Sequence, residues 1–221
     1  MKHFSTESNV KNLRVIYDGV HLKSETAFMC EKEKYFLFVG RLDEAKGFRN
    51  AVVAFSKFVE KRKDYKLLVA GTPLSVSYFN EIKAYIDANR LTDFIEFLGI
   101  RNDVDNLMQK ATAVIMASRF EGFGLVTAEA MFNGCLVIGH DTGGTKEQFD
   151  NGVKLSGEEI GLRYGSVEEL SRLMLEVADS EIDKFFPMIK RGQQVASSLY
   201  SIETCVDKVL EYYKEILADN N

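Results

Sequence analysis

The chain has 221 residues, 46% of them apolar and 28% charged, with a formal net charge of −5. That is enough for one sizeable core and is ordinary for a globular domain. The acidic balance argues against nucleic acid or another polyanion bound through bulk charge, while leaving room for a local cationic pocket.

Cys30, Cys135 and Cys205 are odd in number and widely spaced. They lack metal-ligand or CxxC spacing, so they read as reduced core thiols of a cytosolic protein, with no metal expected. No apolar run approaches the roughly 20 residues of a membrane span. Met1-Lys2-His3-Phe4 leads into polar sequence, unlike the apolar region of a secretory leader. Pro73 and Pro187 are the only prolines, and no repeat or low-complexity stretch is present.

Residues 1–34 read as a connector and lead-in. They hold one strand-like island, Leu13-Arg14-Val15-Ile16-Tyr17, ended by the turn signal Asp18-Gly19. Glu31-Lys32-Glu33-Lys34 reads as solvated charge. Tyr35 to Val39 is a buried-strand run ending at Gly40. The spacing of Phe48, Ala51, Val52, Phe55 and Val59 predicts a helix with one apolar face, its phenylalanines in the core. Lys66 to Ala70 is a second strand, ending at Gly71, and residues 76–89 a second helix. Phe94 to Leu98 is a third strand, ending at Gly99. A short helix over residues 103–110 takes Asp103 as its N-cap. Ala113 to Ala117 is a fourth strand and Leu136 to Gly139 a fifth, with a short helix between them. A Gly143-Gly144 turn and a weak strand at residues 161–164 follow. Three helices close the chain, over residues 166–178, 182–198 and 201–217. Ile202, Cys205, Val206, Val209, Tyr213 and Ile216 share one face of the last, which either covers this domain or reaches a partner domain.

Strands alternating with helices predict an α/β fold, a Rossmann-like doubly wound and mostly parallel sheet. Its domain would span residues 35–199, with residues 200–221 as a C-terminal helix. Ligands of such sheets bind beyond the carboxyl ends of the strands, where the glycines sit.

Two stretches there could carry chemistry. Gly40-Arg41-Leu42-Asp43-Glu44-Ala45-Lys46-Gly47 is neither a P-loop nor a GxGxxG loop. It still sets Arg41 and Lys46 between a strand end and a helix N-terminus, where a diphosphate would meet both cations. The alternative is two solvated cations balanced by Asp43 and Glu44. The second stretch is Ser118-Arg119-Phe120-Glu121-Gly122-Phe123-Gly124-Leu125-Val126-Thr127-Ala128-Glu129-Ala130-Met131. The spacing of Glu121 and Glu129 says little, since Glu25/Glu33, Glu168/Glu176 and Glu203/Glu211 share it. Position says more. Glu121 falls in a glycine-bearing turn and Glu129 in the following helix. A carboxylate accepts from vicinal hydroxyls, and amides at a helix start suit phosphate. The alternative is a pair of solvated helix glutamates. His140 could be a base, though a lone loop histidine is more often solvated. Glu158/Glu159 and Glu168/Glu169 read as solvated faces.

Taken together, Phe38-Val39-Gly40-Arg41-Leu42 to Lys46-Gly47, Phe97-Leu98-Gly99, Ala117-Ser118-x-x-Glu121-Gly122-Phe123-Gly124 to Glu129-Ala130-Met131, and Asp141-x-Gly143-Gly144-x-x-Glu147 resemble the C-terminal half of a GT-B glycosyltransferase of family 4. The match runs over roughly residues 35–165. Val15 to Val20 resembles that family's interdomain connection, with Asp18 and His21 where Asn and Asp are usual. The resemblance implies a donor-binding domain for a nucleotide-diphosphate sugar and a transferase that retains anomeric configuration without a metal or cofactor. By the same resemblance Arg41 and Lys46 hold the diphosphate, Glu129 the ribose hydroxyls and Glu121 the sugar hydroxyls. Phe123, Gly124 and Leu125 lie along the sugar and phosphate, and Gly99, Ile100 and Arg101 border the base. An N-terminal domain, absent from this chain, would bring most of the acceptor site, for a glycan, lipid or small molecule. The chain would then be a cut or naturally split half, inactive alone, cytoplasmic or peripheral to the inner membrane face. A GT-B sugar-nucleotide epimerase and a non-catalytic nucleotide-binding module are the alternatives.

Overall fold

The computed structural model of the chain describes residues 14–21 and 31–219. Among them six strands form one sheet: β1 (Glu33–Val39), β2 (Lys66–Ala70), β3 (Ile95–Gly99), β4 (Ala111–Met116), β5 (Val137–His140) and β6 (Leu162–Tyr164). Their spatial order is β3-β2-β1-β4-β5-β6, and every pairing is parallel. The expected doubly wound sheet is therefore present, and wholly rather than mostly parallel. The chain reverses its direction of travel between β1 and β4, which makes their carboxyl ends the switch point.

Residues of a strand alternate between faces. In β1, Phe36 and Phe38 join one buried cluster, and Tyr35 and Leu37 the other. The first cluster lies under α1 (Phe48–Val59), α2 (Val76–Ala88) and α6 (Val167–Asp179). The second lies under α3 (Val104–Lys110), α4 (Leu125–Phe132), α5 (Gly143–Ser156) and the end of α7 (Phe186–Tyr200). A final helix, α8, spans Ile202–Asp219. In α1 packing outweighs capping. Its N-cap, Gly47, offers no side-chain bond, a loss of only about a few tenths of a kcal/mol for glycine. Burying Phe48, Phe55 and Phe58 completely is worth roughly 1.5–3 kcal/mol each, as an upper estimate.

The structure departs from the sequence reading in several places. Helix α5 replaces the expected Gly143-Gly144 turn. Glycine costs a helix about 1 kcal/mol against alanine, and α5 holds Gly143, Gly144 and Gly152. Packing selects them. A Cβ on Gly144 would lie 2.1 Å from the Phe123 carbonyl oxygen, and one on Gly152 2.3 Å from Ile160 Cδ1. The island at Val15 to Tyr17 is not a strand; Val20 forms one isolated bridge to Ser201. Leu13, Cys30 and most of residues 1–34 lie outside the described residues. Glu33 and Lys34 belong to β1, and Lys32 Nζ donates to the carbonyls of Gln109 and Gly134. The helix expected at residues 182–198 begins as a 3-10 turn, Ile182–Phe185, and Pro187 opens the α-helix after it. Ser166 caps α6 as expected. Cys135 is buried, which pushes its thiol up to about 11, whereas Cys205 is only half-buried. The last helix leaves Val206, Leu210, Tyr213 and Leu217 exposed. No helix among the described residues is long and apolar enough to cross a membrane.

Candidate functional site

The two candidate stretches are the loops that follow β1 and β4, neighbouring strands at the switch point. They interlock. Gly47 has a φ of 66°, and a Cβ there would fall 1.8 Å from the Ala117 carbonyl oxygen. Only glycine fits both the left-handed backbone and that approach. The Arg119 amide donates to the Ala45 carbonyl at 3.0 Å.

Across this seam Lys46 Nζ meets Glu121 Oε2 at 2.7 Å, and Ser118 Oγ donates to the same oxygen at 3.0 Å. The Glu121 side chain is 13% exposed and that of Lys46 26%. Asp43 fixes the lysine from its own loop by accepting the Lys46 amide at 2.7 Å. Beneath the pair lies a cavity of about 40 Å³, lined in part by Gly40, Lys46, Ser118, Glu121 and Val126. That is room for a water rather than a sugar.

The start of α5 braces the second loop. The Gly144 amide donates to the Glu121 carbonyl at 2.9 Å. Gln148 Nε2 donates to the carbonyls of Phe123 and Gly124 at 2.6 and 3.0 Å. The hydroxyls of Thr127 and Thr145 meet at 2.9 Å. Gly124 caps α4 with a φ of 87° and no side-chain bond. The first amides of α4 are thus uncapped by any side chain, at the helix end that favours anions. Leu125 opens that helix half-exposed, and Glu129 is half-buried one turn further on.

The remaining expected residues are not drawn into this cluster. Arg41 is 60% exposed and donates from Nε to Asp43, its neighbour in the loop. Gly99 ends β3, Ile100 is 81% exposed, and Arg101 forms a two-pronged bond with Asp103 at 2.8 and 2.7 Å. That bond holds the Asp103 carboxyl below its ordinary pKa. It also occupies the side chain expected to cap α3, and no side-chain cap forms there. His140 is half-buried, with Nδ1 3.2 Å from the Ser118 carbonyl oxygen and its ring against Tyr164. The acids read as solvated faces are exposed as expected, and each also has a partner at the surface: Glu158 pairs with Arg191, Glu159 with Arg163 and Glu168 with Lys57, while Glu169 accepts the Gly165 amide. Among the described residues no group of three His, Cys, Asp or Glu side chains could hold a metal ion.

Sequence reading did not single out Ser118 or Gln148 for the site. Ser118 was signalled by its place three residues before Glu121. Gln148 had no signal, because α5 itself was not legible.

The family model for glycosyl transferases group 1 matches residues 24–194. The chain belongs to that family. It is 27% identical over 221 residues to N-acetyl-alpha-D-glucosaminyl L-malate synthase of Bacillus anthracis, covering 99% of this chain and 55% of that one. It is 31% identical over 187 residues to the lipopolysaccharide core biosynthesis mannosyltransferase LpcC of Rhizobium leguminosarum bv. viciae, covering 82% of this chain and 51% of that one. The chain thus spans about half the length of these curated relatives. Among solved structures it resembles Anabaena HepE in complex with UDP, with a TM-score of 0.74, 23% identity, and coverage of 83% of this chain and 49% of that one. It also resembles the C-terminal domain of LpcC from Francisella tularensis, with a TM-score of 0.66, 20% identity, and coverage of 85% and 97%. These likenesses establish the fold, the one expected of the C-terminal half of a GT-B glycosyltransferase.

Proposed function

We propose that this chain is the donor-binding part of a retaining, family 4 glycosyltransferase that takes a sugar from a nucleotide-diphosphate sugar. The observation that carries the reading is the Lys46–Glu121 bridge at the switch point, 2.7 Å long and largely shielded from solvent. Such a pair sets a phosphate-binding cation and a hydroxyl-binding carboxylate side by side. On binding, Lys46 would turn to the diphosphate and Glu121 to the sugar hydroxyls, with Phe123, Gly124, Leu125 and the start of α4 along both. Arg41 would leave Asp43 to join Lys46. Glu129 would take the ribose hydroxyls, and Gly99, Ile100 and Arg101 would border the base. The UDP held by HepE belongs to a protein of the same fold.

In the reaction the bond from the anomeric carbon to the diphosphate would break, a bond to the acceptor hydroxyl oxygen would form on the same face, and the proton of that hydroxyl would pass to the departing phosphate oxygen. Charge grows on the departing phosphate oxygen, where Arg41, Lys46 and the α4 amides would stabilise it. Because the acceptor hydroxyl and not water takes the sugar, no water-activating base is required. The relatives are about twice as long, and we infer that transfer needs a second domain that closes over the donor and brings the acceptor. Alone, this chain would bind nucleotide and transfer little. We place the whole enzyme in the cytoplasm, with the acceptor a glycan, lipid or small molecule.

The test is calorimetric titration of the 221-residue chain with UDP, GDP and ADP. Saturable binding of at least one is expected, and Glu129→Ala should weaken it more than Glu168→Ala. No binding by any of the three, or equal and negligible effects of the two substitutions, would remove the reading.

A further inference from the structure

The segment 14–21 has no strand or helix of its own, yet it is firmly attached. The Val20 amide donates to the Tyr200 carbonyl at 2.7 Å, and the Ile202 amide to the Val20 carbonyl at 3.1 Å. This anchorage brings Tyr17 against the loop between β4 and α4. Its ring stacks on Phe123 with centroids 5.6 Å apart and planes at 25°. Tyr200 meets both rings edge-on, 5.3 Å from Tyr17 and 5.2 Å from Phe123. The Tyr17 hydroxyl donates to Glu147 Oε1 at 2.9 Å and accepts from Asn151 Nδ2 at 2.9 Å. Burial raises the Tyr17 pKa, so at neutral pH the hydroxyl keeps the proton it donates.

Glu147 and Asn151 sit on α5, the helix whose Gly144 and Gln148 hold the carbonyls of Glu121, Phe123 and Gly124. Phe123 is therefore held twice, by its backbone from α5 and by its ring from Tyr17 and Tyr200. Tyr17 closes the loop of contacts, because it touches the Phe123 ring and the helix that holds the Phe123 carbonyl. Without it the Phe123 ring would lose a stacked neighbour, and α5 would lose its tie to segment 14–21.

We propose that Tyr17 is a positioning residue, which holds the Glu121–Leu125 loop ready for ligand so that segment 14–21 sets the affinity of the nucleotide site. The proposal rests on the donor-binding reading above. A positioned loop of this kind binds well only when the residues behind it are themselves fixed.

The experiment uses the 221-residue chain and its Tyr17→Leu, Tyr17→Phe and Phe58→Leu variants, at a temperature where all are folded by circular dichroism. Phe58 is fully buried in the opposite cluster, so Phe58→Leu controls for lost stability alone. The readouts are UDP, GDP or ADP affinity and amide hydrogen exchange at residues 121–125. Tyr17→Leu should weaken the nucleotide by about threefold to tenfold, the range one lost aromatic pair is worth, and speed exchange in the loop. Tyr17→Phe, which keeps the ring, should recover most of both. Phe58→Leu should change neither. Unchanged loop exchange in Tyr17→Leu, or equal changes in Phe58→Leu, overturns the proposal. If the unsubstituted chain binds no nucleotide, the donor reading fails by itself. Loop exchange then decides the role of Tyr17, since faster exchange confined to Tyr17→Leu supports it.

Discussion

The two ends of the candidate site are built differently. At the β1–β4 end, Lys46, Ser118 and Glu121 converge from two interlocked loops, and α5 braces the second from behind its carbonyls. At the β3 end, Ile100 projects into solvent and Arg101 is folded onto Asp103 two residues away. The loop backbones of the first end are fixed before any ligand arrives. The second is held by one local, solvent-exposed pair. In the proposed function the fixed end faces the phosphate and sugar, where charge changes during reaction. The loose end faces the base, which only has to be held. Preorganised charge is the larger source of rate, and binding at an exposed rim adds less.

The largest effect should come from breaking the seam at the fixed end. Gly47→Ala puts a methyl 1.8 Å from the Ala117 carbonyl oxygen on a backbone with φ 66°. Two backbone segments must then separate, and urea denaturation should show a loss of at least about 3 kcal/mol. A loss under about 1 kcal/mol would mean that the two loops are not tightly coupled. Next in size is Lys46→Met, which leaves Glu121 shielded, with Ser118 but without its cation. A hydrogen bond to a charged group is worth about 1.5–3 kcal/mol, so nucleotide affinity by calorimetry should fall about tenfold to a hundredfold. A loss no greater than that of Lys57→Met, remote on α1, would refute the preorganised end.

This difference between the ends was only partly legible in the sequence. Apolar runs revealed β1 to β5 because a buried parallel strand needs side chains that are apolar on both faces. Arg41, Lys46 and Glu121 stood out through their place after strand ends. The same reasoning could not tell that Lys46 turns inward while Arg41 stays with Asp43, because that choice depends on the β4 loop lying alongside. Helix α5 was hidden by its glycines, which local propensity disfavours and close packing requires. Tyr17 was hidden for another reason. Its partners Phe123, Glu147, Asn151 and Tyr200 come from three distant parts of the chain, and no periodicity joins them. The candidate ligand groups lie where chain direction predicts, whereas their supports exist only once the layers have packed.

The smallest predicted effect belongs to the loose end. Arg101→Ala removes a guanidinium whose present partner is Asp103 alone among the bonds described. Exposed pairs contribute little, so UDP affinity should change by less than about threefold. Acid should have the same mild effect by a separate route. The Arg101 bond lowers the pKa of the Asp103 carboxyl. The pair is therefore complete above the ordinary carboxylate pKa and comes apart as pH falls through the lowered one. Between neutrality and the ordinary carboxylate range, Asp103→Asn and the unsubstituted chain should differ by a constant offset in midpoint of unfolding. Below that range the offset should shrink as Asp103 of the unsubstituted chain takes up a proton and loses the charge that Asp103→Asn already lacks. An Arg101→Ala effect as large as that of Lys46→Met would erase the distinction between the ends, and the base edge would then count as part of the fixed site.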